Sequence, residues 1–212
     1  MVILLGNQKG GAGKSTVTLL LANYLAVNKN RPVTVLDMDY QQSISSKYEK
    51  AQLTENMLPY EVLAADLNDF PDLMTVLSKN VDEIVLIDLP GKMDDDDLIP
   101  VIRAGDLILC PFGYDQFSVD STLLFAMVVS KINTSAPLHF IPNRLKSGVK
   151  YQTRLEVDKA LTGFGYVGKG FPDRIDFQRV DTTCIPAILL PVVLPVLAEI
   201  YETFIESEAN DA

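Results

Sequence analysis

The chain has 212 residues, enough to bury a core as one domain without disulfide or metal staples. Its 18 Lys+Arg against 28 Asp+Glu give a net charge of −10, which disfavours an all-over electrostatic grip on nucleic acid or on an anionic membrane and leaves only a local basic patch open. An apolar share of 48% with 22% charged residues excludes disordered, collagenous and low-complexity classes, and the two cysteines, Cys110 and Cys184, exclude a disulfide framework and a zinc cluster and fit a reducing cytoplasm.

The apolar start Met1 to Leu5 runs directly into a polar, glycine-rich stretch, so it reads as part of the fold and not as a secretory leader. No added helix-turn-helix is expected before Val2. Strands are expected at Val2 to Leu5, Val33 to Asp37, Glu83 to Asp88, Asp106 to Phe112 and Leu138 to Pro142, most of them apolar nearly throughout. That pattern suits strands covered on both faces. Helical spacing of apolar residues is expected over Lys14 to Asn28, Phe70 to Lys79, Asp95 to Ala104, Phe117 to Ile132 and Tyr151 to Leu161. The acidic run Asp94 to Asp97 sits where a helix start favours negative charge. Cys184 to Leu197 is interrupted by Pro186, Pro191 and Pro195 and falls short of the roughly 18 to 20 apolar residues that span a bilayer. It reads as a buried strand or loop leading into a last helix, Val193 to Glu206. The alternation predicts an α/β fold of one domain over residues 1–212, with a mostly parallel twisted sheet and helices on both faces.

Between the first strand and the first helix lies Gly6-Asn7-Gln8-Lys9-Gly10-Gly11-Ala12-Gly13-Lys14-Ser15-Thr16. A strand, a glycine loop and a helix N-terminus together let backbone N–H groups converge on phosphate oxygens. In such a P-loop Gly10, Gly11, Ala12, Gly13 and Thr16 line the phosphates, Lys14 reaches the β/γ-phosphates and Ser15 offers a hydroxyl to Mg²⁺. The strict G-x-x-x-x-G-K-[ST] pattern is not met, because Gln8 stands at the first glycine position and a second lysine, Lys9, precedes the glycines.

After the second strand, Asp37 and Asp39 are spaced i, i+2 in Val35-Leu36-Asp37-Met38-Asp39-Tyr40-Gln41-Gln42-Ser43 and so point to one side, at the strand end where open α/β sheets hold ligands. Helix capping would use the same residues. Ile84-Val85-Leu86-Ile87-Asp88-Leu89-Pro90-Gly91 is an apolar strand ending in an acid, which suits a Walker B carboxylate holding Mg²⁺ through water. Asn143 follows the strand Leu138 to Pro142 and would also suit a turn. His139, alone in an apolar strand, reads as a satisfied structural histidine, and both cysteines read as buried small hydrophobes.

The Lys9-Gly10-Gly11-Ala12-Gly13-Lys14-Ser15 loop resembles that of the ParA/MinD family of deviant Walker A P-loop ATPases, and Asn7 to Thr16 resembles its partition branch. The resemblance implies ATP and Mg²⁺ as cofactors and a homodimer sandwiching two ATP molecules, across which Lys9 reaches the partner's phosphates. Asp37 then belongs to the Mg²⁺ shell with Ser15 and Asp88, and Asp39 orients the attacking water, making Lys9, Lys14 and Asp39 the catalytic set. Tyr40 stands where the family's D-x-D-P-Q segment has proline. Asn143 and Arg144 fall near adenine, and Phe171-Pro172-Asp173-Arg174 resembles the family's I-P-x-R stretch, which brings Pro172 and Arg174 to the base.

Function in this branch is an ATP-dependent dimerising switch in partition of a plasmid, chromosome or mobile element, with slow hydrolysis stimulated by a ParB-like activator and nonspecific DNA bound by the dimer. Charge distribution favours such a DNA face at residues 143–180, which hold 8 Lys+Arg and 4 Asp+Glu; an ordinary solvated surface would carry the same charges. The stretch from Val193 to Ala212 has Glu199, Glu202, Glu206, Glu208 and Asp211 and no Lys or Arg, which argues against a MinD-like basic membrane helix. The alternatives are a MinD-like positioning ATPase without DNA binding and a nucleotide-gated adaptor.

Overall fold

The computed structural model describes residues 1–54, 57–149, 151 and 153–206. Lys150, Glu208 and Asp211, counted above among the basic and acidic stretches, lie outside the described residues. Seven parallel strands form one sheet in the order β3-β2-β4-β1-β5-β6-β7: β1 (Val2–Leu5), β2 (Val33–Asp37), β3 (Glu61–Ala64), β4 (Ile84–Asp88), β5 (Leu107–Phe112), β6 (Leu138–Pro142) and β7 (Tyr166–Val167). The helices are α1 (Lys14–Asn23), α2 (Ser43–Leu53), α3 (Phe70–Leu77), α4 (Leu98–Arg103), α5 (Gln116–Ile132), α6 (Arg154–Leu161) and α7 (Leu190–Ile200). The five expected strands and the parallel two-faced architecture are present. The edge strands β3 and β7 and the helix α2 are additions to that reading.

Alternation along each strand divides the core. Ile3 and Leu5 face one layer with Val35 and Leu86, packed with residues of α1 and α7, whereas Val2 and Leu4 face the other with Val85 and Ile87, against α4 and α5. The helix α1 is covered on nearly every side, with Val17 to Leu21 all buried, and a π-helical turn at Tyr24–Asn28 continues it. The strand β1 sits between β4 and β5, so the loop leaving its carboxyl end emerges in the interior of the sheet edge, where open α/β folds bind ligands.

The proline-rich run begins outside a helix at Cys184 to Pro186, as expected, but turns helical at Ala187, ahead of the expected start at Val193. Pro191 stands in the first turn of α7, where no intrahelical N–H is needed, whereas Pro195 lies inside the helix and withholds one N–H from it. Residues Ala187–Ile205 form a continuous 19-residue helical stretch long and apolar enough to cross a membrane by composition. Its Val193, Leu197, Ile200 and Ile205 belong to the core beside α1. Cys110 is buried, but Cys184 is exposed, so only one of the two is the small core hydrophobe expected.

His139 on β6 is fully buried, edge-on to Tyr166 at 5.2 Å and Phe204 at 5.1 Å between ring centres. It is structural but not satisfied: neither ring nitrogen has a hydrogen-bond partner among the described residues. Burial lowers its pKa to about 4, against the opposing pull of Glu199. An unfolded chain takes up this proton near pH 6.5 and the native chain refuses it until about pH 4, so the native state loses stability as the pH falls across that window. We expect His139→Leu to remove an acid-side loss on the order of 2–3 kcal/mol, read as the difference between wild-type and variant urea curves from pH 7.5 to 4. Parallel curves would refute it.

Candidate nucleotide-binding site

The loop after β1 is anchored before it turns. Asn7 is fully buried and donates through Nδ2 to the carbonyl of Pro111 and to Thr122 Oγ1, both at 2.9 Å, while its Oδ1 accepts from the Lys9 N–H at 2.9 Å. The loop then needs left-handed backbone at Gly11 (φ 75°) and Gly13 (φ 103°), a conformation that costs L-residues and suits glycine. At Gly13 space forbids a side chain as well, because a Cβ would run into Asn143 Nδ2. That amide nitrogen donates to the Ala12 carbonyl at 2.7 Å, and Asn143 Oδ1 accepts from the Arg144 N–H at 2.9 Å. The first turn of α1 therefore starts from a loop held at both ends.

On one side of this loop lies an acidic floor. Asp37 and Asp88 are directly paired at the ends of β2 and β4, and both are fully buried. Asp37 Oδ2 accepts from the N–H groups of Ile44 at 3.0 Å and Ser45 at 2.8 Å, capping α2 from the preceding strand, since the side chain of Gln42 at the N-cap does not cap the helix. The capping role and the strand-end acid thus reside in one residue, and its Oδ1 is without a partner among the described residues. Asp88 Oδ2 is likewise without one, and Asp88 Oδ1 lies 3.5 Å from the Thr18 hydroxyl. Burial raises the Asp88 pKa to about 7, opposed by the Ser15 hydroxyl and by the Lys14 ammonium and reinforced by Asp37 and Asp39. Two adjacent buried carboxylates, each with an orphaned oxygen, beside a serine hydroxyl form an oxygen donor set suited to a hard divalent cation. Lys14 is itself buried, and its Nζ lies near Gly91, 3.8 Å from where a Cβ there would stand. Asp39 is half-buried and its Oδ1 accepts from the Gln41 N–H at 3.1 Å; Tyr40 is 70% exposed, and Gln42 takes the left-handed turn at φ 45°.

On the other side opens a groove of about 1080 Å³, lined by Lys9 to Gly13, Thr16, Asn143, Arg144, Pro172 and Arg174 among others. Its walls converge because the chain after β6 is tied to both: Asn143 N–H donates to Phe112 O at 2.6 Å, and Leu145 N–H donates to Phe171 O at 3.0 Å. Arg174 is paired with Asp176 at 3.5 Å. Lys9 Nζ lies 5.7 Å from the centre of the exposed Phe117 ring. The sequence-derived residues thus fall into two groups that share the loop: Lys14, Ser15, Asp37, Asp39 and Asp88 on the acidic side, and Lys9 to Gly13, Thr16, Asn143, Arg144, Pro172 and Arg174 on the groove. Two contributors had escaped the sequence reading, Asn7 and Thr18. Asn7 is one of several polar residues in the loop after β1, and Thr18 is a polar residue in the mostly apolar α1.

Residues 3–178 match the model of the CobQ/CobB/MinD/ParA nucleotide binding domain. The chain belongs to that family. It is 32% identical over 111 residues to Protein ParA of Rhizobium radiobacter, an alignment covering 52% of this chain and 47% of that one; the chain thus matches about half the length of this curated relative. Among solved structures, a plasmid partition protein of Borrelia burgdorferi B31 bound to AMPPNP superposes with a TM-score of 0.71 at 22% identity, covering 100% of this chain and 99% of that one. The Pyrococcus furiosus cell division ATPase MinD gives 0.69 at 17% identity over 95% of this chain and 98% of its own. Both likenesses are of fold, and the fold is that of the ParA/MinD P-loop NTPases.

Proposed function

We propose that this chain is an ATP-dependent dimerising switch of the ParA type, acting in DNA partition in the cytoplasm. The observation that carries the reading is the glycine loop with two lysines, set between the groove of about 1080 Å³ and a pair of buried carboxylates, each with an oxygen that has no partner among the described residues. Backbone N–H groups of Gly10 to Thr16 would receive the phosphates at the start of α1, with Lys14 on the β/γ-phosphates. Ser15, Asp37 and Asp88 would hold Mg²⁺, which when bound neutralises charge on the phosphate oxygens. Asp39 would orient the attacking water, whose oxygen bonds to the γ-phosphorus as the bond to the β-bridging oxygen breaks, giving ADP and phosphate. Asn143, Arg144, Pro172 and Arg174 would hold the base.

Lys9 extends towards solvent-exposed Phe117 and not into its own acidic floor, which supports its use across a two-fold dimer, where each copy gives its lysine to the other. A ParB-like activator would stimulate turnover. Residues 143–180 would meet DNA: Arg144, Lys146, Arg154, Lys159, Lys169 and Arg179 are exposed, although Arg154 and Arg179 have acidic neighbours, Asp158 at 3.5 Å and Asp176 at 3.8 Å. The apolar face of the C-terminal helix is committed to the core, which favours this reading over a MinD-like membrane anchor.

The test is ATP hydrolysis and sedimentation with and without duplex DNA, on wild type and Lys9→Ala. The wild type should dimerise with ATP and hydrolyse it slowly, faster with DNA and activator, whereas Lys9→Ala should lose at least tenfold of the turnover. Equal turnover and dimerisation in the variant would defeat the dimer reading, and binding with no hydrolysis by the wild type would make the chain a nucleotide-gated adaptor.

A further inference from the structure

Lys47 of α2 does not line the groove, yet we infer that it is a positioning residue for the base end of that groove, acting through the carbonyl of Val180. The inference rests on the ATP reading above. Lys47 Nζ donates to Val180 O at 2.6 Å. Among the described residues this is the one hydrogen bond that a side chain of α2 makes outside its own helix. A bond of this kind, with a charged donor, is shorter and roughly twice as strong as a neutral one.

Val180 ends the 3-10 turn Ile175–Arg179. That turn follows Pro172 and Arg174 in the chain, and its Ile175, Phe177 and Gln178 line the groove beside them. A 3-10 turn is a weak element on its own, and the carbonyls at a helix end need partners from outside. The side chain of Arg174 at the N-cap does not cap it. The turn is therefore held from its far end, where Val180 N–H closes onto Phe177 O at 3.3 Å and Lys47 takes the Val180 carbonyl.

The hold reaches the site through contacts made bond by bond. The Phe177 ring packs edge-on against Phe171 with ring centres 5.9 Å apart, and Phe171 N–H donates to Pro142 O at 2.8 Å, at the end of β6. On the other flank Asn23, buried in α1, donates through Nδ2 to the Asp181 carbonyl at 2.9 Å. Two successive carbonyls are thus fixed from two helices, Asp181 from α1 and Val180 from α2. Without the ammonium a part-buried carbonyl loses its donor, and the chain must shift to bring it to water. What shifts with it is the turn that forms one wall of the base end. The glycine loop is anchored separately, through Asn7 and Asn143, so the phosphate end should stay as it is.

Affinities of the full chain for ATP and for inorganic triphosphate, both with Mg²⁺, separate the two ends, because triphosphate has no base and the ratio of the affinities reports the base end alone. Lys47→Met keeps the apolar stem and removes the ammonium; it should lower the ATP:triphosphate ratio about fivefold or more and leave triphosphate affinity within about twofold of wild type. Lys47→Arg, which can still donate, should keep the ratio within about twofold of wild type. Lys47→Gln, too short to reach with a charge, gives the same measurement should the methionine variant not fold. An unchanged ratio in Lys47→Met or Lys47→Gln, an equal loss for both ligands, or an arginine variant as impaired as the methionine one would overturn the inference while leaving the ATP switch standing. A wild type that binds neither ligand, or that binds both alike, would overturn both.

Discussion

Replacing Asp88 by asparagine should make the ligand-free protein more stable and inactive at once. The carboxylate is fully buried beside Asp37, one of its oxygens has no partner among the described residues, and burial has raised its pKa to about 7. A buried charge without full compensation destabilises the fold that holds it, and the neutral amide has nearly the same shape. At pH 8 the variant should gain on the order of 2–4 kcal/mol in nucleotide-free urea unfolding. The same change removes an anionic oxygen from the donor set for Mg²⁺, and hydrolysis should fall by about 100-fold or more. A variant that is destabilised without ligand would show that Asp88 is satisfied by groups other than a cation, and one that still hydrolyses ATP at the wild-type rate would remove it from the site.

Gly13→Ala should abolish nucleotide binding, and Gly10→Ala should leave the free fold unchanged. The two glycines look alike in the sequence. Of the two, Gly13 combines a φ of 103° with a neighbour, Asn143 Nδ2, standing where a Cβ would go, whereas nothing among the described residues lies within 4 Å of a Cβ on Gly10. The left-handed backbone alone costs an L-residue roughly 1–2 kcal/mol. The side chain would also push Asn143 off Ala12 and take with it the tie between the loop and the base end of the groove. Thermal melting and ATP titration of both variants check this: Gly13→Ala should lose more than tenfold in affinity, and equal behaviour of the two variants would contradict the loop geometry described here.

The strands buried on both faces were legible because unbroken runs such as Ile84 to Asp88 have few other ways to be apolar. The helix α2 was not, since Ser43-Ile44-Ser45-Ser46-Lys47 carries little apolar periodicity and the whole helix buries only Ile44, Ser45 and Ala51; its start is supplied by Asp37, seven residues away from Ile44 and on another element. The edge strands β3 and β7 escaped for a related reason. Each pairs on one side only, and Glu61, Leu63 and Ala64 of β3 and Tyr166 of β7 are exposed. The candidate site was legible as residue types along the chain, but its division into an acidic side and a groove was not, because the parallel register that sets Asp37 beside Asp88 is a property of the sheet.

The two helices nearest the phosphate loop are mounted in unlike ways. Moving α1 means opening the core that surrounds it from Val17 to Leu21, so the loop at its head behaves as the stator of the machine. The mounting of α2 is lighter: Ile44 enters the core and Lys47 Nζ donates to the Val180 carbonyl at 2.6 Å, while its first amides rest on one carboxylate oxygen of Asp37, a residue paired in the sheet with Asp88. Whatever pulls on Asp37 therefore pulls on the pivot of α2, and the chain has a ready lever running from the end of β2 to Leu53 on its surface.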